Sequence, residues 1–266
     1  MLHLRRYILL ILAGILAASL SLSPVSSADR DLPEVHFTNG LVYYALGFTE
    51  MATKELLRVC ELDPTNTEAR VALGVAYQAK GETNSALKAY EEALSIDSGL
   101  LHVHGLIGDI YRIKGDSGKA RFHYLEARED PEIVAVPCYG LGVLAEDEGD
   151  TAGAIAYYRE VITVAPDHVD AALRLSYVLR ETGEIDEALQ VVSEANRYDP
   201  RSPELHYQWG LLYLDKKEYS KAEHEFDRVL QLEKGHPGAR WQLQNLESRG
   251  REKLEGVREQ EAGGGE

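Results

Sequence analysis

The sequence predicts an all-α protein, a solenoid of six helix pairs closed by a further helix, and three observations carry that prediction. Stepping by 34 residues from Ala52 meets Ala86, Ala120, Ala154, Ala188 and Ala222 with no slip in register. The same step from Gly40 meets Gly74, Gly108, Gly142, Ser176 and Gly210, and from Gly47 it meets Gly81, Gly115, Gly149, Gly183 and Lys217. Between these columns, apolar residues recur at three- and four-residue spacing, as on amphipathic helices.

Six units follow from the register: 33–66, 67–100, 101–134, 135–168, 169–202 and 203–236. Glycine in the Gly47 column can take the left-handed conformation that ends a helix, so each unit reads as two short helices about a turn. The other two small columns predict close approach of those helices. A larger side chain at Gly74 or Ala86 would hold the axes beyond the usual ~8–10 Å. Bulky residues fill the remaining space: Tyr43, Tyr77, Tyr111 and Tyr213 share one column with Ala145 and Leu179, while Leu56, Tyr90, Tyr124, Tyr158, Val192 and Phe226 form another. Each pair keeps a second apolar face that only a neighbouring pair can cover, which makes the units stack. Prolines mark the junctions. Pro33, Pro137 and Pro203 fall in first helical turns, where a missing N–H is harmless, and Pro64, Pro166 and Pro200 stop second helices.

In this order of Leu-Gly, Tyr, Gly, Ala, an aromatic, Ala and Pro, the units resemble the tetratricopeptide repeat over 204 of 266 residues. The resemblance implies a right-handed solenoid. Departures are local: Asn39 stands for leucine, Ser176 for glycine and Lys217 for the turn glycine. In EDPEIVAVP the proline, Pro131, comes one place early, so an irregular junction is expected between units three and four. Residues 237–250 read as a capping helix whose Trp241 and Leu243 cover the last apolar face. The tail 251–266 reads as disordered, acidic and glycine-rich.

Residues 1–28 read differently. Arg5 and Arg6 precede an apolar run from Tyr7 to Leu20 and a small-residue end at Ser26, Ser27 and Ala28, the pattern of a secretory signal peptide cleaved after Ala28. An uncleaved anchor in the inner membrane is the alternative, though the run falls short of the ~20 residues that span a bilayer. The expected location is therefore the periplasm or the exterior. The net charge is −16, and loss of Arg5 and Arg6 leaves 26 Lys and Arg against 44 Asp and Glu, hence −18. That charge disfavours nucleic acid and anionic membrane surfaces as partners. Membrane contact is expected only if the N-terminal segment is retained.

Chemistry-bearing motifs are sparse. Cys60 and Cys138 lie several helices apart, so two unbridged thiols are expected. His102 and His104, two residues apart, point to different helix faces and do not form a helical metal pair. The sequence has no nucleophile elbow, phosphate-cradling loop or metal-ligand cluster. No catalytic residue, cofactor, metal or small-molecule substrate is expected.

The resemblance implies that positions 2, 5, 9 and 12 of the first helices line a concave groove for another protein or peptide. On that basis the candidate partner-binding residues are Phe37, Leu41, Tyr44, Val75, Asp109, Arg112, Tyr139, Val143, Tyr177, Arg180, Tyr207 and Leu211. Several of these also suit a core between adjacent first helices. Arg112, Arg174 and Arg180 interrupt any acidic stripe, which favours an apolar binding mode over capture of a basic segment. The groove offers no set of lysines and asparagines of the kind that co-chaperones resembling this fold use to hold terminal carboxylates. The expected function is a non-enzymatic scaffold or adaptor of the cell envelope. Alternatives are a holdase-like carrier of apolar segments of exported proteins, or an accessory subunit of an envelope enzyme, secretion or pilus assembly complex.

Overall fold

The computed structural model describes residues 31–248. The segment read as a signal peptide, the tail, and the last two positions of the expected capping helix lie outside the described residues. All regular structure among the described residues is helical, and the chain falls into two compact units, one ending at Pro131 and the other beginning at Glu132.

In the first unit, α1 (Pro33–Ala45) pairs with α2 (Thr49–Leu62), α3 (Thr67–Ala79) with α4 (Thr83–Ile96), and α5 (Leu101–Ile113) with α6 (Ser117–Ala127). In the second, α7 (Ala135–Asp147) pairs with α8 (Thr151–Val164), α9 (Val169–Glu181) with α10 (Ile185–Ala195), and α11 (Pro203–Asp215) with α12 (Tyr219–Leu232). Residues 237–248 are helical after α12. Consecutive pairs touch through α2 and α3, α4 and α5, α8 and α9, and α10 and α11. Each unit is thus a stack of three helix pairs of the kind that the sequence predicts.

The turns explain the Gly47 column. Gly47, Gly81, Gly115, Gly149 and Gly183 have φ between +76° and +84°, and Lys217 takes +61° at the sixth place. The N–H after each of them reaches back to the carbonyl five positions earlier, from Phe48 to Tyr43 at 2.8 Å and from Glu82 to Tyr77, Asp116 to Tyr111 and Glu218 to Tyr213 at 2.9 Å. This bond satisfies a helix-end carbonyl that would otherwise lack a partner. Five helix starts are fixed by side chains that accept from orphan N–H groups. Asn66 accepts from Ala69 at 2.8 Å, Asp150 from Gly153 at 2.9 Å, and Ser202 from Leu205 at 3.2 Å.

Every member of the alanine column is fully buried, as are Tyr90, Tyr124, Tyr158, Val192 and Phe226. The structure corrects the reason expected for the glycine column. A Cβ at Gly74 would stand 2.3 Å from Cε1 of Tyr90, at Gly142 2.5 Å from Cε1 of Tyr158, and at Gly210 2.6 Å from Cε1 of Phe226. The glycine is a seat for the side chain sixteen residues later, rather than a point of backbone contact. The fifth pair departs in both columns at once: Ser176 and Val192 stand there, both fully buried, and the Ser176 hydroxyl donates to the Leu173 carbonyl at 2.7 Å. A shorter side chain in the second column leaves room for a Cβ in the first.

Between α6 and α7 the chain runs through turns at 128–134 after an α6 of only 11 residues, so the irregular junction expected at Pro131 is present. The closing helical segment meets expectation at Leu243 and departs from it at Trp241. Trp241 is 60% exposed, whereas Ala239 is fully buried and Leu243 and Leu246 pack on Leu211, Ala222, Phe226 and Val229. The last apolar face is covered by aliphatic residues and not by the indole. Cys138 is fully buried in α7 and Cys60 is half-buried at the end of α2. Burial pushes the Cys60 thiol up, which keeps it protonated and unreactive.

Candidate partner-binding surface

The first helix of each pair places the candidate residues, and burial divides them. Leu41, Val75, Val143 and Leu211 are each less than a tenth exposed, so these four are core. In the first unit Phe37 and Tyr44 are half-buried and pack with Leu56, Leu73 and Ala76. In the second unit Tyr139 and Tyr207 are half-buried, and Tyr177 is 42% exposed.

The polar candidates are engaged within the protein. The buried tyrosines that fill the glycine seats direct their hydroxyls to the first-helix surface. Tyr90 donates to Oε1 of Gln78 at 2.5 Å, Tyr124 to Oδ1 of Asp109 at 2.6 Å, and Tyr158 to Oε2 of Glu146. Arg112 Nε donates to the Tyr124 hydroxyl at 3.3 Å. Burial first, and the neighbouring carboxylates second, push the Tyr124 and Tyr158 hydroxyls well above the usual tyrosine range. They therefore stay protonated and act as donors. This network is the feature that sequence reasoning misses. Its signal is a polar residue twelve or fifteen positions before each buried tyrosine: Gln78 for Tyr90, Asp109 and Arg112 for Tyr124, and Glu146 for Tyr158.

In the second unit a cleft of about 520 Å³ is lined by Tyr139 and Glu146 of α7 and by Asp170, Leu173, Arg174, Tyr177, Val178 and Glu181 of α9. Arg174 crosses it. Its Nε donates to the Tyr139 hydroxyl at 3.1 Å and its Nη1 to Glu146 Oε2 at 2.9 Å, while its guanidinium carbon lies 6.0 Å from the Tyr139 ring centroid. Burial opposes the Arg174 charge, but these hydrogen bonds hold its pKa above the usual arginine value. Tyr139 also lies 4.9 Å from the His168 ring, between centroids. Arg180 is held by the Asp215 carboxylate, the main cause of its own raised pKa. Among the described residues no group of three or more His, Cys, Asp or Glu is placed to hold a metal ion.

Repeated helix pairs, with a cleft between the first helices α7 and α9 in the second unit, define the class: a helical-repeat protein. The chain carries tetratricopeptide repeats. Models of the tetratricopeptide repeat match residues 67–99, 145–208 and 203–236, and a model described as TPR repeat matches 40–81. Tetratricopeptide repeat protein 13 of Homo sapiens is 28% identical over 115 residues, which cover 41% of this chain and only 13% of that protein.

Solved structures share the fold. The structure from the functional characterisation of Pseudomonas aeruginosa PilF superposes with a TM-score of 0.69 at 22% identity, over 84% of this chain and all of that one. PilW, described as a widely conserved type IV pilus biogenesis factor, gives 0.67 at 14% identity over 80% of this chain and 97% of its own. YrrB, described as a TPR protein with an unusual peptide-binding site, gives 0.56 at 20% identity over 69% of this chain and 95% of its own.

Proposed function

We propose that the protein is a non-catalytic scaffold of the cell envelope that holds a segment of another protein against the surface of its first helices. One observation supports this above the rest: Tyr177 is 42% exposed and lines the same cleft as Tyr139 and Leu173. A rigid aromatic left half open beside Leu173 and the Tyr139 ring gains burial when a partner covers it. The envelope location rests on the pattern of residues 1–28, and mature protein beginning at Asp29 is its test by mass spectrometry. Among the described residues no helix is long and apolar enough to cross a membrane.

The likeness to PilF and PilW supports a second reading, an accessory subunit of an envelope assembly machine such as a pilus apparatus. Affinity capture from envelope fractions, run in parallel with the parent and with Tyr177→Ala/Tyr207→Ala, tests the scaffold. A protein retained by the parent should be lost by the variant, with about 2 kcal/mol of binding removed per aromatic anchor. Equal retention would place binding elsewhere.

A further inference from the structure

Three arginines on the first helices, Arg112, Arg174 and Arg180, do not oppose a basic partner, because each is already paired within the protein. Arg112 lies 4.0 Å from Asp109 and donates to the Tyr124 hydroxyl, Arg174 pairs with Glu146, and Arg180 pairs with Asp215. Of the four charged residues lining the α7–α9 cleft, three are carboxylates and one is this engaged arginine. Asp170 and Glu181 are exposed and make no hydrogen bond or ion pair among the described residues. They stand eleven positions apart on α9, about 16 Å at 1.5 Å per residue. Leu173 and Tyr177 lie between them.

From this arrangement we infer that the cleft takes an extended segment of a partner protein bearing two Lys or Arg side chains with an apolar residue between them. The cations pair with Asp170 and Glu181, and the apolar residue covers Tyr177. An extended chain rises about 3.3 Å per residue, so cations four residues apart project from the same edge, and the lysine stems make up the remaining distance. An acidic or C-terminal carboxylate ligand is disfavoured, because Nε and Nη1 of Arg174, the one cation among the described residues that line the cleft, are taken by Tyr139 and Glu146. The net charge of −16 draws a basic segment from a distance. The inference rests on reading the first-helix surface as the partner site.

The probe is a fluorescent peptide, acetyl-Gly-Lys-Thr-Leu-Thr-Lys-Gly-amide, followed by anisotropy with the full-length protein, beside versions with both lysines replaced by glutamine or by glutamate. The lysine peptide should bind, and Asp170→Asn/Glu181→Gln should weaken it about tenfold while circular dichroism and the melting temperature stay unchanged. Raising salt should weaken it too, since both carboxylates are exposed. Unchanged affinity in the double variant overturns the inference. If the glutamine peptide binds as well as the lysine one and Tyr177→Ala abolishes both, the groove reading stands and the basic partner falls. Failure of all three peptides to bind overturns both.

Discussion

A methyl group on Gly74 would stand 2.3 Å from Cε1 of Tyr90, closer than any non-bonded carbon pair can come, and Tyr90 is fully buried. The ring cannot swing aside into solvent. The two residues therefore form one packing unit in which the absence of a side chain on α3 is the condition for an aromatic on α4. The relation recurs at Gly108 with Tyr124, Gly142 with Tyr158 and Gly210 with Phe226. Ser176 and Val192 give the other solution to the same volume.

A double-mutant cycle tests this. Gly74→Ser alone should destabilise by about 1–3 kcal/mol through overpacking, and Tyr90→Val alone by about 3 kcal/mol through the cavity and the loss of the hydroxyl bond to Gln78. The double variant rebuilds the fifth pair's arrangement in the second. It should be more stable than the sum of the single losses by 0.5 kcal/mol or more, a coupling of the size seen for residues in contact. Strict additivity in denaturant unfolding would show that the glycine and the ring do not compete for one space.

The turn column offers a cleaner measurement, because nothing lies within 4 Å of a Cβ placed at Gly149, where φ is +76°. Gly149→Ala should therefore cost about 1 kcal/mol through backbone strain alone. Lys217 already bears that strain at φ +61°. Lys217→Gly should accordingly stabilise, by about 0.5 kcal/mol once the added freedom of the unfolded chain is subtracted. Thermal melts that move the same way for both variants would contradict this reading of the column.

What the sequence makes legible follows from repetition. A requirement met six times at one spacing stands out of a single chain, which is why the helix pairs, the left-handed turns and the irregular junction at Pro131 are readable without coordinates. The glycine column shows the limit: its existence is visible, but its partner is a ring sixteen residues away whose direction only packing reveals. The polar partners of the tyrosine hydroxyls change type, so the column of Gln78, Arg112 and Glu146 shares no one chemistry by which to announce the network. Arg174 reads as an obstacle to an acidic surface until its bonds to Tyr139 and Glu146 are seen. Trp241 lies past the last repeat, where no register remains to say which face of the closing helical segment turns inward.

Gln208 in α11 is fully buried, and neither its amide oxygen nor its nitrogen has a hydrogen-bond partner. An unsatisfied buried amide costs free energy that an apolar side chain of the same length does not. Gln208→Met should raise stability by about 1 kcal/mol and Gln208→Glu should lower it by more. A loss of stability in the methionine variant would mean that an ordered water satisfies the amide and is displaced.

The last prediction concerns pH and a position that repeats with altered chemistry. His36 Nδ1 lies 2.6 Å from Glu55, and His206 Nδ1 lies 2.7 Å from Glu225, each pair joining the two helices of its unit across nineteen residues. In the third pair the acid is missing, and His104 Nδ1 meets His123 Nδ1 at 3.0 Å. Glu55 and then Asp31 raise the His36 pKa against its burial, so His36 favours the folded state below about pH 6.5, and that contribution is lost as pH rises through the folded pKa. Burial lowers His104 and His123 despite the nearby Glu126, and each cation would further repel the other and, at His123, Lys119. Their contribution is present above about pH 6.5 and is lost as pH falls from there through the folded pKa values. His123→Glu restores the arrangement of the first and sixth pairs, although Glu126 on the same helix opposes the new charge. Melting temperatures between pH 7.5 and 5 should then show the variant gaining on the parent as pH falls, the sign reversed from that of the histidine pair. His36→Ala should do the opposite, losing most at low pH. Parallel curves for the parent and His123→Glu across that range would show that the contact between His104 and His123 has no part in the acid response.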